Sequence, residues 1–208
     1  MTSRQNYRVS VIGSRSSKVS VIMVYHANYG TLMETALKSL RSQTHSPEVV
    51  LVRGDGQRLA RSSNQGCMAA TGKYLVRIDS DDWVEPDLIE SEAAYLDAHP
   101  GVDCVWCDFI ESRELSPGVF ALDITPQEEI EHACGAMFRR EVWEALRYDE
   151  ALDYQEGYDF WCRFKQAGYV GHRMSLPAYY YRRHGGSMST NPARQAVRER
   201  LERKYANR

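Results

Sequence analysis

Three carboxylates follow directly on a short apolar segment near the middle of the chain. Residues 74–78 have the aromatic and β-branched character of a strand, and Asp79, Asp81 and Asp82 come at its end. Adjacent acids repel one another, so such a cluster is typical of a place where something positive binds. Hard oxygen ligands at alternate positions suit Mg²⁺ or Mn²⁺, ions that usually accompany the phosphates of a substrate. The alternative is an aspartate-rich turn that caps the next helix, and these residues alone leave both interpretations open.

The surrounding pattern predicts the elements that would position these acids. Apolar runs at 19–25, 47–52 and 74–78 alternate with helical periodicity at 31–40 and 59–71, and a further helical pattern follows Pro86. This alternation indicates an α/β fold with a parallel, doubly wound sheet. The acids then lie at the carboxyl end of a strand, which is the edge where open α/β sheets bind their ligands.

The remaining sequence predicts further elements of the same domain. We expect a strand at 102–110, a loop or hairpin at 111–125, a strand at 134–139, helices at 140–146 and 158–167, an extended aromatic segment at 169–183 and a charged helix at 192–205. Residues 1–18 are interpreted as an N-terminal arm or an extra edge strand. No linker or repeat divides the chain, so we expect one domain at 19–190, followed by a basic C-terminal helix at 191–208.

Composition narrows the class of protein. The 208 residues are 43% hydrophobic and 26% charged, and no apolar run approaches the ~20 residues that cross a bilayer. The polar N-terminus lacks the apolar core of a signal peptide, and an odd number of cysteines indicates reduced thiols, so we expect a cytoplasmic protein. Residues 182–208 hold eight Lys and Arg against two acids, and residues 1–33 hold four against none. A solvated terminal helix and a loose N-terminal arm would account for these basic ends, and an anionic acceptor or a peripheral association with a membrane stays open.

Four motifs, taken in order, resemble glycosyltransferase family 2. Residues 19–26 are similar to the opening strand of the family, and residues 63–83 to its helix and Asp-x-Asp strand. Residues 134–143 resemble its Gly-x-x-Phe-Arg-Arg-Glu segment, and residues 181–189 its closing Tyr-Arg-x-His and Ser. Each motif alone is unspecific, but four in the right order around the acids make the resemblance specific over most of the chain.

The resemblance implies a fold and a reaction. The fold would be a single-domain A-type glycosyltransferase fold, with a Rossmann-like, mostly parallel sheet flanked by helices. The reaction would be a metal-dependent, inverting transfer of a sugar from a nucleoside-diphosphate donor, expected to be a UDP-sugar, to an acceptor hydroxyl. Asp81 would coordinate Mn²⁺ or Mg²⁺ directly, and Asp79 would contact the ribose or the water shell of the ion. His184 would provide a third contact, either to the metal or to a phosphate. Arg182 or Arg183 would meet a phosphate oxygen of the donor.

Three more residues are candidates for binding the nucleotide sugar. Tyr25, at the end of the first strand, would flank the base, and Asn64 belongs to the family's helix motif. Asp55 stands where the family has the second acid of an Asp-Asp-Gly turn, but Gly54 replaces the first acid. A plain Gly-Asp-Gly turn is an equal alternative for Asp55.

Inversion requires a general base close to the acceptor hydroxyl. The family has this base in a Glu-Asp pair before a helix rich in Trp and Leu, and here Glu156 matches the first acid while Gly157 stands at the second. We expect Glu156 to be the base. The alternatives are that Asp159 takes this role or that the loop shifts by one residue, although an acid in the first turn of a helix is also favoured by the helix dipole.

Two other functions compete with transfer. The glycine at 157 leaves open a catalytically degenerate protein that binds sugar nucleotides or acts as a scaffold. A nucleotidyltransferase would also need acids and a metal, but the turn after the first strand has no basic residue to bind phosphates. The acceptor stays open among glycans, lipids, proteins and nucleic acids, and a small chain makes a homo-oligomer an option.

Overall fold

Three parallel strands form the first half of the sheet: β2 (Val19–Tyr25), β3 (Glu48–Arg53) and β4 (Tyr74–Arg77). The structure is a computed structural model that describes residues 9–26, 30–54, 56, 58–116, 119–130, 132–185 and 187–206. These strands are buried on both faces, which explains why their sequences are continuous apolar runs. The connecting helices, α1 (Gly30–Arg41) and α2 (Leu59–Ala69), lie where the sequence predicts them.

The sheet as a whole is mixed. Its other strands are β1 (Val9–Ile12), β5 (Trp83–Val84), β6 (Cys104–Ser116), β7 (Val119–Thr125), β8 (Ala136–Arg139) and β9 (Gly171–Arg183). The order is β1-β3-β2-β4-β8-β6-β9-β5, with β7 beside β6. The predicted α/β class is confirmed, but the sheet is less parallel than expected. β8 runs antiparallel to both of its neighbours because the chain reaches it from the β6–β7 hairpin without a helical crossover.

Helices cover both faces of the sheet. Besides α1 and α2 they are α3 (Leu88–Ala98), α4 (Arg140–Leu146), α5 (Glu156–Gln166) and α6 (Ala193–Ala206). Val21 and Met23 of β2 belong to the core beneath α1 and α3, whereas Ile22 and Val24 belong to the core beneath α2, α4 and α5. None of the helices in the described part of the chain has the length and apolar character that a bilayer crossing needs.

Both ends of the chain add to the sheet or lie against the helices. β1 pairs antiparallel with β3 at the edge of the sheet, and residues 1–8 of the predicted arm lie outside the described residues. The segment at 111–125, predicted as loop or hairpin, forms a β-hairpin from the end of β6 and β7. The charged helix expected at 192–205 is α6, which contacts α5.

Two features of this architecture bring distant residues together. β5 pairs antiparallel with β9, so that the end of β9 returns beside the acids that follow β4. The helix α5 begins at Glu156, two residues earlier than predicted, so Glu156 lies in its first turn. The carboxyl end of β4, the end of β9 and the start of α5 therefore surround one region of the molecule.

Candidate active site

A cleft of about 140 Å³ opens at the carboxyl end of β4. Asp79 and Asp81 lie on its wall, as does Glu156 from the start of α5. The cleft is also lined by Val24, His26, Arg77, His132, Cys134, Tyr154, Gln155, Gly157, Tyr158, Tyr181, Ser187, Met188, Ser189 and Arg194. Three carboxylates and two arginines thus converge on one concave surface.

Asp79 is the first acid of this surface and is half-buried. Its Oδ1 atom lies 3.1 Å from Nε of Arg77 in an ion pair. Burial raises the pKa of Asp79, Arg77 acts in the opposite direction, and the charges of Asp81 and Glu156 raise the pKa further. The net rise is therefore due first to burial, with the two neighbouring carboxylates opposing the effect of Arg77.

Asp81 points towards the segment after β9. Its Oδ2 atom lies 2.9 Å from Nε2 of His184, and both side chains are partly exposed. The backbone carbonyl of Asp81 accepts a hydrogen bond from Nε of Arg182 at 2.8 Å. The structure therefore brings together Asp79, Asp81 and His184, the three residues predicted to be near a metal.

Asp82 has a different environment from the other two acids. It is 1% exposed, its Oδ2 atom accepts a hydrogen bond from the hydroxyl of Tyr179 at 2.7 Å, and its Oδ1 atom accepts one from the amide of Arg182 at 2.8 Å. Burial raises the pKa of Asp82 well above its ordinary value, and the nearby charges of Asp81 and Asp79 add to this rise. Asp82 thereby ties the acidic turn to β9 and has no exposed oxygen for a ligand.

Glu156 is oriented by an unusual start of α5. Gln155, the residue before it, has a left-handed backbone (φ 65°), which costs roughly 1–2 kcal/mol for a residue other than glycine. Such strain is often found at functional sites, where the surrounding structure maintains it. Glu156 itself is 7% exposed, and its Oε1 atom lies 2.9 Å from a terminal nitrogen, Nη1, of Arg77.

Gly157 occupies a position without room for a side chain. A Cβ atom at residue 157 would lie 2.8 Å from the backbone nitrogen of Ala133 and 3.1 Å from its Cβ atom. The aspartate that the family motif would have there cannot fit unless the backbone at 132–133 moves. The glycine that replaces the motif's aspartate at 157 therefore allows α5 to pack closely against residues 132–133.

Asp159 is buried away from the cleft. Its Oδ2 atom accepts a hydrogen bond from Nε of Arg163 at 2.8 Å, and its Oδ1 atom is bonded to Nζ of Lys204 at 3.0 Å and to the hydroxyl of Tyr205. Burial alone would raise the pKa of Asp159, but the bonds from Tyr205 and Lys204 and the charge of Arg163 lower it. This side chain joins α5 to α6 and does not line the cleft.

Of the three further residues predicted to bind the nucleotide sugar, Tyr25 and Asn64 do not line the cleft. Tyr25 is half-buried and does not line the cleft, whose wall at the end of β2 is formed by Val24 and His26. Asn64 is 3% exposed, and its Nδ2 and Oδ1 atoms each bond two partners near 143–150. Asp55 lies outside the described residues.

The two arginines at the end of β9 border the acidic turn. Arg182 bonds Asp81 and Asp82 as described above, and its guanidinium carbon lies 4.6 Å from the ring centroid of Trp83. Arg183 is exposed and forms an ion pair with Glu111 at 2.6 Å. Neither side chain lines the cleft, although Arg182 holds the turn that does.

Asp79 and Asp81 are the two carboxylates of the acidic turn that line the cleft and could hold a divalent cation there. Oxygen atoms of Asp79 and Asp82 and the sulfur of Cys134 also lie within 4.8 Å of one another. However, both oxygens of Asp82 accept hydrogen bonds, and the sulfur of Cys134 is a soft ligand, which Mg²⁺ and Mn²⁺ do not prefer. The partly exposed carboxylates of Asp79 and Asp81 are the hard ligands that suit these ions.

Arg77 is a charged residue of the cleft that the motif analysis misses. It is the one charged residue in the apolar run at 74–78, and a charged side chain in a buried strand requires a partner. That signal is visible in the sequence, but it does not identify the partners. Arg194, which also lines the cleft, reaches it from α6 and carries no sequence motif.

The chain matches a known family over more than half of its length. The family model described as glycosyl transferase family 2 matches residues 35–147. An uncharacterized glycosyltransferase of Methanocaldococcus jannaschii, MJ1057, is 28% identical over 113 residues, which are 49% of this chain and 39% of that protein. EpsH of Bacillus subtilis, provisionally named a glycosyltransferase, is 26% identical over 188 residues, covering 76% of this chain and 50% of EpsH.

Solved structures share the fold. TarS 1–349 of S. aureus in complex with UDP-GlcNAc matches with a TM-score of 0.65 and 16% identity, over 84% of this chain and 61% of TarS 1–349. The complex of the same fragment with UDP matches with a TM-score of 0.62 and 15% identity. This match covers 80% of this chain and 60% of the TarS fragment. At this identity the likeness concerns the fold alone. The chain spans between 39% and 61% of the length of MJ1057, EpsH and TarS 1–349.

Proposed function

The chain belongs to glycosyltransferase family 2, and we propose that it transfers a sugar from a nucleoside-diphosphate donor to the hydroxyl of an acceptor. The observation that carries the proposal is the cleft, in which Asp79 and Asp81 at the end of β4 meet Glu156 at the start of α5. Donor-binding acids and a candidate base thus share one surface, as a direct displacement requires. The complex of TarS with UDP-GlcNAc supports a UDP-sugar as the first donor to test.

Asp79 and Asp81 would hold the donor through Mg²⁺ or Mn²⁺. Such a cation neutralises the charge that develops on the departing diphosphate. Asp81 is kept in position by His184 and by the bond from Arg182 to its carbonyl, while Asp79 is kept in position by Arg77. Arg182 lies close enough to the turn to add positive charge near the phosphates.

Glu156 serves as the general base in this proposal. Its free oxygen accepts the proton of the acceptor hydroxyl while the acceptor oxygen bonds to the anomeric carbon. The bond from that carbon to the phosphate oxygen breaks on the opposite side, its electron pair leaves with the diphosphate, and the configuration inverts. Asp159 is a weaker candidate because its two oxygens bind Arg163, Lys204 and Tyr205 outside the cleft.

A second candidate function is the binding of sugar nucleotides without transfer. The observation in its favour is Gly157, where the second acid of the family motif is absent and has no space. Both functions predict cation-dependent binding of a nucleoside diphosphate, and they differ only in turnover.

Two substitutions separate these functions. We expect Asp81→Asn to abolish Mn²⁺-dependent binding of UDP, measured by calorimetry. We expect Glu156→Gln to bind UDP like the wild type but to release UDP from UDP-sugars about 100-fold more slowly or worse, because it lacks a base. UDP release is measured with a panel of UDP-sugars and Mn²⁺, first with water and then with varied hydroxyl compounds as the acceptor.

Two control substitutions show whether an effect is specific to the cleft. Asp87→Asn and Glu144→Gln make the same changes at exposed positions outside the cleft and should leave binding and release unchanged. If the wild type binds UDP but releases none from any donor, the binding function is favoured. If Glu156→Gln releases UDP at the wild-type rate, the assignment of the base is wrong.

A further inference from the structure

Arg77 is a buried arginine whose partners are both acids of the proposed active site. It is the last residue of β4 and is 6% exposed. Its Nε atom lies 3.1 Å from Asp79 and its Nη1 atom lies 2.9 Å from Glu156, which belong to different elements of the fold. One guanidinium group therefore links the donor side of the cleft to the candidate base.

An arginine suits this link, which is a hydrogen bond from Nη1 to Glu156 and an ion pair between Nε and Asp79. A planar guanidinium presents donors in a fixed fork and can contact two carboxylates in different directions, whereas an ammonium group is a single point charge. The two acids also approach different nitrogens of the group. Lysine at this position would reach one carboxylate but would not hold both in the same arrangement.

The contact also distinguishes the two oxygens of Glu156. Oε1 is bound to Arg77, and among the described residues Oε2 has no hydrogen bond or ion pair. Because Glu156 lines the cleft, Oε2 is the oxygen available to an incoming hydroxyl. A carboxylate fixed through one oxygen presents the other at a defined position, which general base catalysis requires.

We propose that Arg77 is the positioning residue of this active site: it holds Glu156 through Oε1 so that Oε2 faces the acceptor, and it sets this base relative to Asp79. The inference rests on the proposed transfer function. It adds the residue that links the donor-binding acid Asp79 to the base Glu156. Replacing the buried cation would leave Glu156 as an unpaired buried acid, free to rotate away from the cleft.

Arg139 offers a matched control. It lies on β8, opposite Tyr74 of β4, and is 8% exposed, similar to Arg77. Its guanidinium group donates to the backbone carbonyls of Leu96, His99 and Val102, far from any acid of the cleft. Arg77→Lys and Arg139→Lys therefore make the same chemical change in two buried arginines with different partners.

The experiment compares the two variants in UDP-GlcNAc hydrolysis with Mn²⁺, in which water replaces the unidentified acceptor. We expect Arg77→Lys to lower kcat by about 10-fold or more, since a small misplacement of a reacting group is costly, and Arg139→Lys to keep kcat within about twofold. Both should lower the melting temperature. Adding millimolar guanidinium chloride to Arg77→Ala should recover part of kcat, whereas Arg139→Ala should not respond.

The outcomes separate this inference from the proposed function. Equal kcat values for the two lysine variants, or a higher donor KM at unchanged kcat for Arg77→Lys, would overturn the positioning role. A wild-type protein that releases UDP from no donor, either with water or with the varied hydroxyl acceptors, would instead refute the transfer function. In that case a crystal structure of Arg77→Ala decides: we expect the Glu156 carboxylate to leave its present position, and an unmoved carboxylate would contradict the inference.

Discussion

Glu92 provides a prediction about stability that is independent of the active site. It lies on α3 among Leu88, Ile89 and Leu96, is 0% exposed, and neither of its oxygens has a hydrogen-bond partner among the described residues. Burial raises the pKa of Glu92 well above its ordinary value, so the folded protein releases this proton at a higher pH than the unfolded chain does. We therefore expect Glu92→Met, which has a similar length and helix propensity, to stabilise the fold.

The magnitude follows from what the substitution removes. A buried polar group without a partner costs about 1–3 kcal/mol, and methionine removes this cost while filling the same space. In a chain of 208 residues each kcal/mol corresponds to about 2–4 °C in melting temperature. We expect a gain of about 1–3 kcal/mol at pH 7.

The gain should depend on pH in a defined direction. Above the ordinary glutamate pKa of about 4.3, the unfolded chain releases the proton of Glu92, whereas the folded protein releases it only at a higher pH. The stability of the wild type therefore falls as the pH rises from about 4 to 7, and Glu92→Met lacks this loss. The difference between the two proteins should be smallest near pH 4 and should grow towards pH 7.

The assay is urea unfolding followed by circular dichroism at several pH values. Glu90→Met is the matched control, because Glu90 lies on the same helix but is exposed, and it should change stability by less than about 0.5 kcal/mol. The reasoning is refuted if Glu92→Met destabilises the protein at pH 7, or if its gain does not shrink towards pH 4. Either result would mean that Glu92 has a stabilising partner, such as a buried water.

Two further substitutions test the packing around α5. Gly157→Ala should destabilise the fold by about 1–3 kcal/mol, because its Cβ atom would lie 2.8 Å from the backbone of Ala133; a melting temperature equal to that of the wild type would contradict the close packing. Asp159→Asn should cost about 3 kcal/mol near pH 7, since it weakens the bonds to Arg163 and to α6. The pKa of Asp159 is lowered, so its contribution is present at neutral pH and is lost as the pH falls below about 4, and the variant should differ least from the wild type in acid unfolding experiments.

Local patterns in the sequence were sufficient to predict the elements of the fold. The apolar runs of β2, β3 and β4 and the helices α1, α2, α4 and α6 lie within a few residues of their predicted places. Periodicity determines these elements because each must bury an apolar face or stripe. The acids at the end of β4 were recognised in the same way, since a strand that ends in carboxylates is visible without any tertiary information.

The pairing of the strands and the bonding partners of the acidic side chains depend on contacts between residues far apart in the chain. The sequence could not show that β8 runs antiparallel between β4 and β6, because strand direction depends on how the connections cross the sheet. The sequence also could not show the different environments of the acids: Asp81 lines the cleft and is bonded to His184, Asp82 is buried against Tyr179, and Asp159 is bound to α6.

The sequence by itself determined the types of residue available for chemistry and the family to which the chain belongs. Only the tertiary structure decided which of those residues meet, because Arg77 and Glu156 are 79 positions apart and their ion pair depends on the placement of α5 beside β4. The physical reason is that a side chain's type is local, whereas its burial, its partners and its charge environment belong to the folded chain as a whole.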